Sequence, residues 1–210
     1  MSKVCWIDTE TTGLMAHKND IVNLAIIIEV DKKVVVEKEF FMQPFSYENI
    51  ETKALAINGL TLEKIKAFPK PQEVFKELKE LLRRYVSPYD RQDKFSPAGH
   101  NVHFDTDFLK QFWKKNGDTF YGSFFNYRTI DTLQLLYLMD GRGHISLKSY
   151  KLVDVCKYFN ITHEGQHTAL GDIRATRELA EFLGTCLILD KELMEKGYAE
   201  FCKRRGELTK

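Results

Sequence analysis

The segment Ile21–Val30 constrains this chain most. It contains Leu24-Ala25-Ile26-Ile27-Ile28, a β-branched run with no polar break. Such a run suits a strand covered on both faces, as a layered α/β sheet provides. Two neighbours extend the pattern. Val4–Ile7 is a short apolar run ending in Asp8, and Lys33–Met42 is a second β-rich stretch joined through an Asp31-Lys32 turn. The order predicts a three-stranded meander at the start of the chain, with a hairpin between its second and third strands.

Helical periodicity takes over after the meander. From Pro71 to Val86, residues Val74, Leu78, Leu81, Leu82 and Tyr85 recur at helical spacing. Phe95–Gly99 is expected as a fourth strand, and Asn101–Lys115 as a helix striped by Phe104, Phe108 and Phe112. Phe124–Ile130 is expected as a fifth strand. Asp131-x-x-Gln134 then resembles a capping box that opens the next helix. Leu147–Phe159 and Thr168–Leu183 are predicted helices, the latter striped by Ala169, Ile173, Thr176, Ala180 and Leu183. Alternating helices and strands after the meander imply an α/β fold with a mixed sheet. Residues 184–210 are expected as a C-terminal helical extension that packs on the domain or contacts a partner.

Composition narrows the function classes. The 210 residues suit one domain, and 31 basic against 30 acidic residues leave a net charge of +1. That balance argues against a module binding nucleic acid by broad electrostatics alone. The 15 Phe, 9 Tyr and 2 Trp supply an aromatic core and candidates for stacking on bases. Cys5, Cys156, Cys186 and Cys202 form no C-x-x-C pair, so neither a zinc site nor a redox motif is suggested. No run approaches a membrane span and the N-terminus lacks a signal-peptide core, so a cytoplasmic location is expected.

Three acidic sites carry the chemistry. Asp8 and Glu10 follow a buried strand, and residues two apart on a strand point to one side. Thr11-Thr12-Gly13-Leu14 comes next, where Gly13 permits a tight turn and close approach by a ligand. The second site is His100-Asn101-Val102-His103-Phe104-Asp105. Asp107 competes with Asp105, but two helical steps turn it roughly 200° away. Asn101 or Asp105 could equally serve as a helix cap. The third is His167-Thr168-Ala169-Leu170-Gly171-Asp172. Gly171 disfavours a helix interior by roughly 1 kcal/mol relative to Ala, which a close approach by another group would explain. His167 is expected in the loop before the helix, reaching over the site.

These three segments resemble, in order and spacing, the motifs of the DEDDh 3′→5′ exonucleases. That family includes the proofreading subunit of bacterial DNA polymerase III, ribonuclease T and oligoribonuclease. Ile57-Asn58-Gly59-Leu60-Thr61 and Thr129-Ile130-Asp131-Thr132-Leu133 are similar to linking segments of the family, so the resemblance covers about residues 3 to 183. It implies a ribonuclease H-like three-layer fold with a central five-stranded sheet, and an exonuclease domain spanning residues 1–183.

The resemblance also implies a reaction. Four carboxylates would hold two Mg²⁺ or Mn²⁺ ions, about 3.5–4 Å apart, to attack a phosphodiester. Asp8 would bridge both ions, Glu10 and Asp172 would hold the ion carrying the attacking water, and Asp105 the other. His167 would be the general base, with an imidazole pKa suited to neutral pH. Thr9, Thr11, Thr12, Gly13, Leu14 and Asn101, with His167, would line the terminal nucleotide. The expected substrate is the 3′ end of single-stranded DNA or RNA, the product a nucleoside 5′-monophosphate, and a DNA polymerase is a candidate partner for proofreading. The alternative is a catalytically silent domain that binds nucleic acid or a polymerase. The presence of all five polar residues, Asp8, Glu10, Asp105, His167 and Asp172, argues for the enzyme. His100, His103 and Asp131 are read as structural; Arg142, Lys148 and Lys151 are read as solvated.

Overall fold

The apolar run at Ile21–Val30 forms β2, and its neighbours form β1 (Lys3–Thr11) and β3 (Lys33–Phe41), as expected. The structure, a computed structural model, describes residues 2–165 and 168–187. The β2 strand pairs antiparallel with β1 on one side and β3 on the other. Asp31 and Lys32 both adopt positive φ (49° and 66°), which makes the tight hairpin between β2 and β3. Two further strands, β4 (Ser96–Gly99) and β5 (Ile130–Asp131), pair in parallel beyond β1. Among the described residues the sheet order is β3-β2-β1-β4-β5.

Strand periodicity sorts the core into two faces. Cys5, Ile7, Leu24, Ile26 and Ile28 face one side, where they meet helices α3 (Pro71–Arg83) and α4 (Val102–Lys115). Trp6, Ala25, Ile27 and Ala98 face the other, against Ala169 and Ile173 of α7 (Ala169–Leu187). Each fully covered Ile or Leu contributes about 1.5–3 kcal/mol of apolar burial. The α4 face is closed by aromatic packing, with Trp113 edge-on to Phe75, Tyr121 and Phe125. Helices α5 (Thr132–Gly141) and α6 (Leu152–Phe159) pack beside α7 through Leu136, Val155, Cys156, Leu179 and Leu183. The result is the three-layer, ribonuclease H-like arrangement: helices, a mixed sheet, helices.

Several segments depart from expectation. Phe124–Ile130 is not a strand; only Ile130–Asp131 pairs, with a single bridge between Phe95 and Phe125. A 3₁₀ turn at Tyr121–Ser123 and a hydrogen bond from Arg128 N to Asn126 Oδ1 (3.2 Å) bend the chain there. The helix expected from Leu147 starts at Leu152, because the Tyr150 carbonyl accepts from His100 Nε2 (2.8 Å) and is withdrawn from helical pairing. Two short helices, α1 (Thr52–Ile57) and α2 (Leu62–Lys66), lie between β3 and α3. Residues 184–187 continue α7, and the rest of the expected extension lies outside the described residues. Among the described residues no helix is long and apolar enough to cross a membrane.

Candidate active site

The site forms where β1 and β4 end and α4 and α7 begin. Even-numbered residues of β1 face α7, so Trp6 anchors that face in the core and Asp8 and Glu10 follow it towards the strand end. A register irregularity between Glu10 and Thr11 lets β1 turn away just past the second carboxylate. Asp172 lies in the first turn of α7, which packs on the same sheet face. Carboxylate oxygens of Asp8, Glu10 and Asp172 lie within 4.8 Å of one another. Hard oxygen donors at this spacing suit a divalent cation.

Asp105 reaches the same place from the opposite layer. It sits in the first turn of α4 and is buried, and its Oδ1 accepts from Thr9 Oγ1 at 2.7 Å. Thr9 is an odd-numbered residue of β1, so it faces α4 while its neighbours Asp8 and Glu10 face α7. The strand therefore presents carboxylates to one helix and holds the fourth acid through its other face. Asp105 lies outside the tight group of three but interacts electrostatically with Asp8 and Glu10. Asp107, its rival, is exposed and paired with Lys110 (2.8 Å).

Burial and crowding act together on these acids. Burial, followed by repulsion from Asp105, Asp172 and Glu10, holds the Asp8 carboxyl well above the usual carboxylate range. Burial first and Asp172 second push Glu10 up to about 7. Burial raises Asp105 to about 7 against the lowering effect of the Thr9 hydrogen bond. A cation would offset the burial and the repulsion that keep protons on this cluster.

The remaining motif residues divide between internal and open positions. Thr11 Oγ1 donates to the Gly13 carbonyl (2.7 Å), and Thr12 Oγ1 accepts from Asp20 N (2.9 Å). The carbonyls of Thr11 and Thr12 accept from Asn58 Nδ2 (3.0 Å) and Glu51 N (2.8 Å). The two threonines thus build the turn with their side chains directed inward, whereas Leu14 is 78% exposed. Gly13 is needed for a protein contact: a Cβ there would overlap the side chains of Asn19 and Glu51, so the close approach expected from a ligand is made by the chain itself. Asn101 takes a left-handed conformation (φ 63°) with no side-chain cap bond; its N–H donates to Asp131 Oδ1 (2.9 Å), which also caps α5 through Leu133 N (3.0 Å). His100 bridges Thr132 Oγ1 and the Tyr150 carbonyl, both at 2.8 Å, and is structural as expected.

His167 lies outside the described residues. A different imidazole meets Asp172: His163 Nε2 is 2.6 Å from Asp172 Oδ1. Sequence reasoning missed it because His163 lies in an irregular loop, where no periodicity relates it to Asp172. The αL-prone Asn160 and Gly165 around it were the available signal that the chain turns back there. Beside Glu10 opens a cleft of about 330 Å³, lined among others by Asn23, Phe41, Asn58, Leu60 and Arg174.

With this geometry established, similarity to known proteins assigns the family. The model of the family described as exonuclease matches residues 5–180. The chain belongs to the exonuclease family. The chain is 29% identical over 172 residues to a PolC-type DNA polymerase III of Halalkalibacterium halodurans, covering 82% of this chain but 11% of that protein. The chain thus spans about a tenth of the length of such polymerases. It is also 29% identical over 184 residues to ribonuclease T of Haemophilus ducreyi, covering 82% of this chain and 80% of that enzyme. In fold it resembles Escherichia coli exonuclease I, solved with zinc ion and single-stranded DNA, with a TM-score of 0.75 and 19% identity over 89% of this chain and 41% of the other.

Proposed function

We propose that this exonuclease hydrolyses the terminal phosphodiester bond at the 3′ end of DNA or RNA and releases nucleoside 5′-monophosphates. The observation that carries the reading is the convergence of Asp8, Glu10 and Asp172 within 4.8 Å, with Asp105 held behind them through Thr9. Asp8, Glu10, Asp172 and Asp105 would hold two divalent cations, Mg²⁺ or Mn²⁺. Cations bound there supply Lewis acidity for water activation and for the charge that develops on the departing oxygen. The chain's own groups do the rest. Rigid mounting on β1 and on two helix starts fixes the donors before substrate arrives. Leu14 offers an exposed apolar contact, and the cleft beside Glu10 has room for a terminal nucleotide with Phe41 as an aromatic wall. His167 is proposed as the general base from the motif alone, and Asn101 as a residue that shapes the motif turn.

Single-stranded DNA is the first substrate to test, because it is the ligand in the exonuclease I complex that this fold resembles. Similarity to PolC-type polymerases supports a polymerase as a candidate partner. The test uses the full chain with 5′-labelled single-stranded DNA, duplex DNA and short RNA, each with Mn²⁺, Mg²⁺ or EDTA. A ladder shortening from the 3′ end, with mononucleotide product and loss in EDTA, is expected. Strand binding without shortening in either cation would overturn the reading and support the silent binding domain.

A further inference from the structure

The hydrogen bond between His163 and Asp172 has its own architecture. The His163 side chain is 6% exposed, and its Nδ1 is buried with no partner among the described residues. An apolar side chain would fill that space without stranding a ring nitrogen. What the imidazole adds is the Nε2 donor to Asp172 Oδ1, at 2.6 Å. As a cation ligand the Asp172 carboxylate only accepts, and in that state Nε2 carries the hydrogen of this bond.

The loop holding His163 is anchored on both sides. Asn160 ends α6 in a left-handed conformation (φ 55°), and Ile161, 9% exposed, fixes the chain in the core with its N–H on the Cys156 carbonyl (2.8 Å). Beyond His163, Gly165 turns the chain back (φ 71°), and its carbonyl accepts from Thr168 N at 3.0 Å. That carbonyl rests on Gly171, where a Cβ would overlap the carbonyl oxygens of Gly165 and Glu164. The missing side chain one residue before Asp172 is what lets the loop close over the helix start.

We propose that His163 is a positioning residue, whose bond to Oδ1 fixes the rotation of the Asp172 carboxylate towards Asp8 and Glu10. The proposal rests on the reading of the acidic cluster as a cation site. Three carboxylates this close repel one another, and Asp172 is the one carried on a separate element. A buried donor behind it opposes outward rotation, as partners of metal ligands commonly do.

A pair of near-isosteric substitutions separates donor from volume. His163→Met fills the space and removes the donor; His163→Gln fills it and keeps an amide N–H. Mn²⁺ affinity of the full chain is read from the electron paramagnetic resonance of free Mn²⁺, with thermal midpoints in EDTA as the check on folding. Met is expected to weaken Mn²⁺ binding by about 10- to 100-fold, and Gln to remain near the parent. Equal affinities for parent, Met and Gln overturn the positioning role and leave the cation site standing. Equal losses for Met and Gln also overturn it, because the donor would not be what matters. If the Met variant does not fold, Gly171→Ala displaces the same loop from the helix side, and unchanged Mn²⁺ affinity there overturns the proposal. A parent chain that binds no Mn²⁺ removes the cation-site reading itself, and this inference with it.

Discussion

At the level of single residues, the direction in which side chains leave β1 decides which acids meet. The period of two put Asp8 and Glu10 together from sequence alone, and the structure places both on the α7 face. The same arithmetic places Thr9 on the α4 face, where it holds Asp105. Asp8→Asn removes a charge that the cluster needs to bind cations, so turnover is expected to fall at least about a hundred-fold, with Mn²⁺ affinity reduced in parallel. Thr9→Val has a different signature. It removes the hydroxyl that lowers the Asp105 pKa, so the Asp105 carboxyl should move further up, and the pH at which half-maximal cation binding occurs should rise. A midpoint unchanged in Thr9→Val would show that the hydroxyl does not control Asp105. His163 was not legible at this scale, because its partner lies across an irregular loop and no spacing rule relates the two.

At the scale of elements, long periodic segments were legible and short ones were not. The meander, α3, α4 and α7 follow from apolar spacing that repeats over several turns or a whole strand. Helices α1 and α2, of six and five residues, hold too little repeat to register a period. The start of α6 was misplaced because a side chain decides it: His100 captures the Tyr150 carbonyl from across the fold. The expected fifth strand shrank for a related reason, since the aromatic residues Phe124 and Phe125 serve the core from a turn. Gly171 tests the element scale directly. Alanine normally stabilises a helix interior by roughly 1 kcal/mol relative to glycine. Here its Cβ would overlap backbone oxygens, which no rotamer change relieves. Gly171→Ala is therefore expected to lower the thermal midpoint, and a higher midpoint would show that the loop does not pack on α7 as described.

At the scale of the whole molecule, the crowded acids link proton binding, cation binding and folding. Glu10 and Asp105 keep their protons up to about pH 7 in the folded chain, whereas unfolded carboxyls lose them near about pH 4. The folded state then binds more protons between those values, so stability falls as pH rises through that window. In EDTA the thermal midpoint should drop from about pH 4 to about pH 7, the window between the unfolded and folded values of those two groups. Cations reverse the effect by taking the place of the protons, so their affinity should rise with pH over the same range. Cation at about a hundred times its dissociation constant should add about 2.7 kcal/mol of stability, or roughly 5–10 °C in midpoint for a chain of this size. A flat midpoint in EDTA would show that these carboxyls are not perturbed by folding.

If acids from β1, α4 and α7 share a cation site, anomalous diffraction from a crystal grown or soaked with Mn²⁺ will locate it. Mn²⁺ peaks within coordination distance of Asp8, Glu10, Asp105 and Asp172 are expected. Well-ordered acids with no Mn²⁺ among them, at a Mn²⁺ concentration that supports nucleic-acid cleavage, would contradict the shared site.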